Sequence, residues 1–228
     1  MTNLTKYAII VAGGSGLRMG TEVPKQFLLL NGLPVLMHTI KKFRTSIPEL
    51  IIKLVLPDSH QEYWKSLCEK FSFDDKLEII SGGNSRFQSV KNGLDSINIQ
   101  EGLVAIHDGV RPFVSKDTLM KSFSVAEELG NAVVSVPLKD SLRVIEKSTN
   151  FAVERTDYRA IQTPQTFRLS FIKEAFKTTE LPLFTDDASV LEHSGFKINL
   201  IEGSYTNIKI TTPEDLEYGE YLLRKTFS

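Results

Sequence analysis

A glycine-rich segment near the start of the chain is the first place where residue types suggest chemistry. Residues 12–20 read AGGSGLRMG and follow an apolar run at 7–12 that is typical of a buried strand. Glycines let a backbone approach an anion closely, so that successive N–H groups surround phosphate oxygens. The segment lacks the Gly-Lys-Ser/Thr ending of a P-loop, and its G-x-G-x-x-x-G spacing differs from the dinucleotide fingerprint. It is interpreted as a phosphate-binding loop, with a tight structural turn as the alternative.

Two cations accompany this loop. Arg18 lies inside it, and Lys25 follows in the sequence VPKQF, where Pro24 stiffens the backbone that presents the lysine. Nucleotidyl transfer builds negative charge on the α-phosphate and on the departing pyrophosphate, and fixed cations stabilise that charge. Solvated surface charges are the alternative for both residues. The glycine loop beside them favours a role in transition-state stabilisation.

Apolar runs alternate with amphipathic segments along most of the chain. This rhythm predicts an α/β fold in which a mostly parallel sheet carries helices on both faces. Gly130 is a suitable C-terminal cap for the helix before it. Strands are predicted at 7–12, 51–56, 77–80, 103–107, 132–136 and 197–201, and helices at 36–43, 59–71, 87–96, 114–129, 169–177, 186–193 and 213–224.

The rhythm breaks between residues 140 and 155. Short apolar runs at 142–145 and 151–154 flank a predicted turn at 148–150, which indicates a hairpin that stands off the main sheet. An isolated hairpin has too little core to be stable, so this arm is expected to pack on another subunit. No repeat, linker or low-complexity tract is present, so residues 1–228 are predicted to form one domain with a β-arm at about 140–155.

Composition restricts the function classes. The 228 residues are 41% hydrophobic and 24% charged with a net charge of -1, which argues against a non-specific nucleic-acid binder. No apolar run approaches the ~20 residues of a membrane span. Cys68 is the only cysteine, and with no signal peptide recognised this indicates a reducing cytoplasm. Cys68 is interpreted as a packed thiol, since one cysteine and four scattered histidines are a poor basis for a zinc site.

The glycine loop and the segments that follow resemble one enzyme family. GGSGxRMG followed by PKQF resembles the signature of the 2-C-methyl-D-erythritol 4-phosphate cytidylyltransferases, enzymes of the non-mevalonate isoprenoid pathway. The resemblance implies a Rossmann-like fold, transfer of CMP from CTP to 2-C-methyl-D-erythritol 4-phosphate, and a homodimer whose arm reaches into the partner's active site. Further matching segments follow in order, within residues 7 to 225: GGNSR at 82–86, HDGVRP at 107–112, KDS at 139–141, QTPQTF at 162–167, TDDA at 185–188, NIKIT at 207–211 and PEDL at 213–216.

The resemblance assigns catalytic roles to four cations. Arg18 and Lys25 correspond to the transition-state cations, and Arg155 and Lys209 to the cations that position the incoming phosphate. That phosphate is already anionic and needs no general base, so catalysis consists of alignment and charge neutralisation. Residues 207–210 look strand-like, where a buried Lys209 would be costly without an anion.

The resemblance also implies which residues hold the nucleotide. Magnesium is expected mainly between CTP phosphate oxygens, with no dedicated protein ligand. Ser85 stands where many relatives carry an acid, and Arg86 is interpreted as either a support for its turn or a ligand contact. The CTP phosphates are assigned to the backbone around Ala12, Gly13, Gly14 and Gly16, and the ribose and cytosine to Gly83, Asn84 and Ser89.

On the acceptor side, Asp108 resembles the acid that contacts the polyol near the metal, with a helix cap as the alternative. Ser141 is expected to contact the acceptor, and Thr163 to serve the neighbouring subunit's site together with Arg155. His107 and Arg111 are interpreted as supports. Asp186 and Asp187 are expected to cap a helix.

Three other functions compete with this interpretation. Ribitol-5-phosphate cytidylyltransferase is the nearest, but the pattern Arg155-x-x-Tyr158-x-x-x-Gln162-Thr163-Pro164 favours the isoprenoid branch. A dinucleotide-dependent oxidoreductase is disfavoured because no acid follows the glycines at the position that holds a ribose hydroxyl. A non-catalytic nucleotide sensor is disfavoured by the retained cations.

Overall fold

The computed structural model describes residues 4–14 and 23–226. Two predicted site residues, Gly16 and Arg18, lie outside this part of the chain. The strands are β1 (Lys6–Val11), β2 (Leu29–Leu30), β3 (Leu33–Pro34), β4 (Ile51–Leu56), β5 (Glu78–Ser81), β6 (Leu103–Asp108), β7 (Asn131–Pro137), β8 (Leu142–Glu146), β9 (Thr149–Val153), β10 (Arg159–Arg168) and β11 (Leu200–Glu202). The helices are α1 (Val35–Ser46), α2 (Asp58–Lys70), α3 (Arg86–Asp95), α4 (Lys116–Leu129), α5 (Leu169–Ala175), α6 (Asp187–His193) and α7 (Pro213–Thr226).

The central sheet has the strand order β11-β7-β10-β6-β1-β4-β5. β1 pairs in parallel with both β4 and β6, and only β10 runs antiparallel to its neighbours, β6 and β7. The predicted mostly parallel sheet is therefore confirmed. In such a sheet the loops that bind ligands follow the carboxyl ends of the parallel strands.

Within the central sheet, β10 is the strand that the sequence did not predict. Its segment RAIQTPQTFR has no continuous apolar run, and Pro164 usually argues against a central strand. The structure accommodates the proline at an irregularity, where the register of β10 against β7 shifts between Ile161 and Gln165. Pairing with β6 and β7 outweighs the local sequence signal.

Helices cover both faces of the sheet, as predicted. On one face α1, α2 and α4 bury apolar side chains that include Met37, Trp64 and Phe123. On the other face α3, α5 and α6 bury Val90 and Ile172, among others. Gly130 ends α4 in the left-handed conformation with φ 90°, as expected of a C-terminal cap. No helix in the described part of the chain has the length and apolar character that crossing a bilayer requires.

Three local predictions need correction. The hairpin turn is Lys147–Ser148, because Glu146 pairs with Thr149; the predicted turn at 148–150 was therefore misplaced. The last predicted strand is β11, which is shorter and begins later than expected. Residues 207–210 are irregular and not a strand. The Asn207 side chain donates to the Thr163 carbonyl of β10, and the Asn207 carbonyl accepts from Arg111.

The hairpin formed by β8 and β9 is a separate two-stranded sheet, here called the arm. Its side chains lie largely in solvent in the single chain. Ile145 is 79% exposed and Phe151 is 46% exposed. The arm therefore carries apolar surface that its own chain leaves uncovered.

Candidate active site

A cavity of about 260 Å³ lies where β1, β5 and β6 end. Its wall includes the first residues after β1, the loop between β5 and α3, the last residue of β6 and a residue from the segment before α7. The cavity brings together nine of the predicted site residues: Ala12, Gly13, Gly14, Lys25, Gly83, Asn84, Ser89, Asp108 and Lys209.

Lys25 is held against the glycine loop. It begins a 3-10 turn, Lys25–Phe27, which follows Pro24, and the residue is only 8% exposed. A Cβ atom built on Gly14 would lie 3.4 Å from Lys25 Cε and 4.0 Å from its Nζ. The ammonium group therefore lies beside the loop backbone, where a phosphate could meet both.

Gln26 is a cavity residue to which the sequence gave no role. Its side chain lies in the cavity wall and is 1% exposed. Gln26 Nε2 donates to the carbonyl of Ala12 at 2.9 Å. Its position in PKQF, directly after Lys25, was the available signal.

The loop before α3 forms the opposite rim of the cavity. Ser85 caps α3, its hydroxyl accepting from the Gln88 N–H at 3.0 Å and donating to Glu180 at 2.7 Å. Ser89 accepts from the Gly83 N–H at 3.0 Å. A Cβ on Gly83 would lie 2.1 Å from Gln88 Cγ, so glycine is what allows this turn to close on the helix.

Asp108 is at the centre of a group of cations. One carboxylate oxygen lies 3.0 Å from Lys209 Nζ and 3.2 Å from Arg111 Nε, and the other lies 3.8 Å from Arg86 Nε. Burial alone would raise the pKa of Asp108, but Lys209, Arg86 and Arg111 outweigh it and hold the pKa well below its ordinary value. The carboxylate therefore stays ionised, and α1 to α6 each have another residue as their N-terminal cap.

Lys209 is less buried than predicted. Its side chain is 39% exposed, because the irregular segment 207–210 holds it at the cavity wall. A lysine on a central strand would have had no such access to solvent. The ammonium can therefore face both Asp108 and an incoming anion.

Arg86 links two elements around this carboxylate. It forms a bidentate pair with Asp187 at 2.8 and 2.7 Å, and the Asp187 side chain is 1% exposed. Burial raises the pKa of Asp187, and the Arg86 guanidinium opposes that rise. The structure thus supports the interpretation of Arg86 as a support, although it also lies in the cavity wall. Asp186 is the cap of α6, as expected, whereas Asp187 is an ion-pair partner.

His107 and Thr163 lie behind Asp108. The His107 ring contacts the Arg111 carbonyl through Nε2 at 3.0 Å and the Thr163 hydroxyl through Nδ1 at 3.0 Å. A carbonyl only accepts, so Nε2 carries the proton and Nδ1 accepts from Thr163. The Thr163 oxygen in turn accepts from the Asp108 N–H at 3.1 Å. Burial lowers the pKa of His107 to about 4, which keeps the ring neutral.

The family resemblance implied that Thr163 serves the neighbouring subunit, and that role stays a prediction. Thr163 lies on the central strand β10, is 5% exposed, and supports Asp108 of its own chain. It is absent from the cavity wall. The unpredicted strand β10 places residue 163 in the central sheet, outside the arm.

Arg155 and Ser141 are also absent from the cavity wall. Both are exposed and lie at the base of the arm, where Arg155 donates to the Lys139 carbonyl. The single chain therefore supplies Lys25 and Lys209 to the cavity, but neither of these two residues.

The comparisons with known proteins agree with this geometry. The model of the 2-C-methyl-D-erythritol 4-phosphate cytidylyltransferase family (IspD) matches residues 7–225. A cytidylyltransferase of that name from Porphyromonas gingivalis is 48% identical and covers 96% of this chain and 97% of its own. One from Bacteroides thetaiotaomicron is 46% identical and covers 94% and 98%.

Solved structures give the same result. The crystal structure of 4-diphosphocytidyl-2C-methyl-D-erythritol synthase from Anaerococcus prevotii superposes with a TM-score of 0.82 at 30% identity, covering 97% of this chain and 96% of its own. That of the cytidylyltransferase from Francisella tularensis gives 0.77 at 30% identity, covering 95% and 99%. A family match over nearly the whole chain, near-complete relatives and a shared fold agree, so the chain belongs to the 2-C-methyl-D-erythritol 4-phosphate cytidylyltransferase family.

Proposed function

We infer that this chain transfers CMP from CTP to 2-C-methyl-D-erythritol 4-phosphate, giving 4-diphosphocytidyl-2-C-methyl-D-erythritol and pyrophosphate. The observation that carries this inference is one cavity that joins a glycine loop and Lys25 to the Asp108–Lys209 pair. The family model and the reported relatives carry the name of this activity, which favours it over transfer to ribitol 5-phosphate.

The reaction needs alignment more than proton transfer. An oxygen of the acceptor phosphate attacks the α-phosphorus of CTP, a new P–O bond forms, and the bond to the β-phosphate oxygen breaks. Pyrophosphate leaves with the electron pair. Because the attacking oxygen is already anionic, the chain has to hold two polyanions together and neutralise their charge.

The side chains divide this task. Lys25, beside the backbone of Gly13 and Gly14, is assigned to the triphosphate, where charge develops as pyrophosphate departs. Lys209 faces the acceptor phosphate while Asp108 accepts hydrogen bonds from the polyol. Arg86 and Arg111 keep Asp108 ionised if Lys209 turns toward the phosphate. Arg18 is assigned to the triphosphate by the family resemblance.

Magnesium fits this site mainly through the nucleotide. In residues 4–14 and 23–226, no three His, Cys, Asp or Glu side chains form a group that could hold a metal ion, and the Asp108 carboxylate is already surrounded by three cations. Magnesium favours phosphate oxygens and water over a protein cage. When bound, it would neutralise phosphate charge, while Lys25 and the loop backbone hold the phosphates.

The pyrophosphate-release assay tests the function. Wild-type protein with CTP and magnesium should release pyrophosphate with 2-C-methyl-D-erythritol 4-phosphate at a higher kcat/KM than with ribitol 5-phosphate. UTP in place of CTP is the nucleotide control. A preference for ribitol 5-phosphate would overturn the proposed substrate, and absence of release with both acceptors would overturn the proposed activity.

The homodimer is part of the proposal. The uncovered apolar surface of the arm, with Ile145 79% exposed, suits packing on a second copy, and Arg155 at its base would then enter the partner's site. Mixing equal amounts of inactive Lys25→Ala and Arg155→Ala chains tests this. Random exchange gives half mixed dimers with one intact site each, so about a quarter of wild-type activity should return. No recovery after verified subunit exchange would exclude shared sites.

The cytoplasm is the proposed location. Cys68 is the only cysteine, and burial raises the pKa of its thiol to about 11, so it is suited to neither a disulfide framework nor a nucleophilic role. Fractionation of cells that express the full chain would test this placement.

A further inference from the structure

The side chain of Gln26 has one polar atom without a partner. Its two N–H groups face the Ala12 carbonyl at 2.9 Å and His60 Nδ1 at 3.4 Å. Among the described residues, its Oε1 is buried and accepts no hydrogen bond. Gln26 is 1% exposed and lies in the wall of the active-site cavity.

The orientation of this carboxamide is determined by its neighbours. The Ala12 carbonyl can only accept, so the nitrogen of Gln26 must face it. Exchanging the nitrogen and oxygen would place two acceptors 2.9 Å apart. The unpartnered atom is therefore the oxygen, and no donor from residues 4–14 or 23–226 bonds to it.

A buried acceptor without a donor is unfavourable, because it gave up its hydrogen bonds to water. Such atoms are rare in folded proteins and often mark the place of a ligand or an ordered water. Gln26 adjoins Lys25 and contacts Ala12, so it lies at the end of the cavity assigned to the phosphates. Phosphate oxygens are themselves acceptors and cannot satisfy Oε1.

Magnesium-CTP does carry donors that could. Its O–H groups are the ribose hydroxyls and the waters that magnesium retains when it binds phosphates. We propose that Gln26 Oε1 is a substrate-binding acceptor that takes an O–H donor of bound magnesium-CTP, either a metal-bound water or a ribose hydroxyl. This inference rests on the proposed function, since it assumes that CTP occupies the cavity.

The test measures CTP affinity by calorimetry in wild-type protein and in Gln26→Met. This change keeps the side-chain length and removes the acceptor together with the N–H donors to Ala12 and His60. Each protein is titrated with CTP over a magnesium series that starts at zero, and with 2′-deoxy-CTP and 3′-deoxy-CTP at saturating magnesium. A lost neutral hydrogen bond should weaken binding of magnesium-CTP about three- to tenfold.

The condition under which the variant no longer binds more weakly than the wild type identifies the donor. If a metal-bound water is the donor, wild-type and variant affinities converge without magnesium but stay apart for both deoxynucleotides. If a ribose hydroxyl is the donor, the affinities stay apart without magnesium and converge for one deoxynucleotide. Either pattern supports the proposal.

Two patterns overturn it. Equal affinities under every condition would mean that Oε1 contacts nothing. The same loss under every condition would mean that Gln26 only holds the Ala12 carbonyl. Absence of CTP binding by the wild-type protein would instead contradict the proposed function.

Controls separate folding from binding. His60→Phe disturbs the other neighbour of the carboxamide and leaves Oε1 in place, so it should show neither pattern. Thermal unfolding of each variant checks that the fold is retained. If Gln26→Met does not fold, Gln26→Ala provides the same comparison.

Discussion

The cavity and the arm differ in whether their side chains have partners within the same chain. In the cavity, charged groups from β6, α3 and the segment before α7 meet one another, and Asp108 contacts three cations of its own chain. In the arm, apolar side chains such as Ile145 and Phe151 point to solvent. The difference is that one chain assembles the charged groups of the cavity by itself, whereas it leaves apolar surface of the arm uncovered.

The largest expected effect is on turnover. Lys25→Ala should lower kcat about a hundredfold or more with little change in CTP affinity, because its charge matters most as pyrophosphate departs. Lys209→Ala should mainly raise the KM for the acceptor. Steady-state kinetics with both substrates varied would measure this split, with Lys65→Ala, on the surface of α2, as the control. Equal loss of CTP affinity in both variants would contradict the division of roles.

The next effect is on the free energy of unfolding, through the ion pair between Arg86 and Asp187. Asp187→Asn should lower the free energy of unfolding by about 3 kcal/mol, because it leaves Arg86 without its buried partner. The matched control is Glu62→Gln, which breaks an exposed pair with Lys65 and should cost at most about 0.5 kcal/mol. Urea unfolding would measure both. Similar losses in the two variants would show that burial does not distinguish these pairs.

A smaller effect depends on pH. His107 titrates near 6.5 when unfolded but its pKa is about 4 when folded, so the unfolded chain binds more protons between these values. Stability should therefore be complete above pH 6.5 and fall by about 2 kcal/mol between pH 7 and pH 5. Urea unfolding at the two pH values would show this fall, and His107→Gln should reduce it. An unchanged slope in that variant would assign the loss to other groups.

The smallest effect within one chain concerns the arm. Ile145→Ser should change the unfolding free energy of the single chain by less than about 0.5 kcal/mol, since the side chain is already in solvent. If the arm packs on a partner, the same change should weaken the dimer about tenfold or more, because an apolar contact is lost. Analytical ultracentrifugation at several protein concentrations would measure the dimer dissociation constant from the sedimentation of the two variants. Leu183→Ser, on an exposed loop outside the arm, is the control, and an equal effect in both variants would argue against arm docking.

Much of the site could be predicted because its residues follow strand ends in the sequence. Asp108 ends an apolar run, and the glycine loop follows another, so parallel pairing of β1 with β6 brings them together. Lys25 was predicted from the local motif PKQF beside the glycine loop. The position of Asp108 beside the glycine loop needed only the periodicity of apolar residues and the rule that parallel strands share a ligand-binding edge. The roles of Gly83, Asn84, Ser89 and Lys209 came from the family resemblance.

Other features depend on contacts between distant segments. β10 has a polar, proline-containing sequence and is a strand because β6 and β7 pair with it on both sides. The pairing places Thr163 behind Asp108 of its own chain, a position that the family resemblance had not implied. The bidentate pair of Arg86 with Asp187 joins residues about a hundred positions apart. No local sequence pattern predicts this pair.

Local residue patterns therefore account for the alternation of strands and helices, the glycine loop, and the kinds of side chain available for phosphate chemistry. Long-range packing sets which of them share a cavity and keeps Lys209 accessible on an irregular segment. It also leaves Gln26 Oε1 without a hydrogen-bond donor among the described residues. The physical reason is that strand identity and phosphate affinity follow from local residue patterns, whereas burial, ion pairing and hydrogen-bond satisfaction depend on which distant segments pack together.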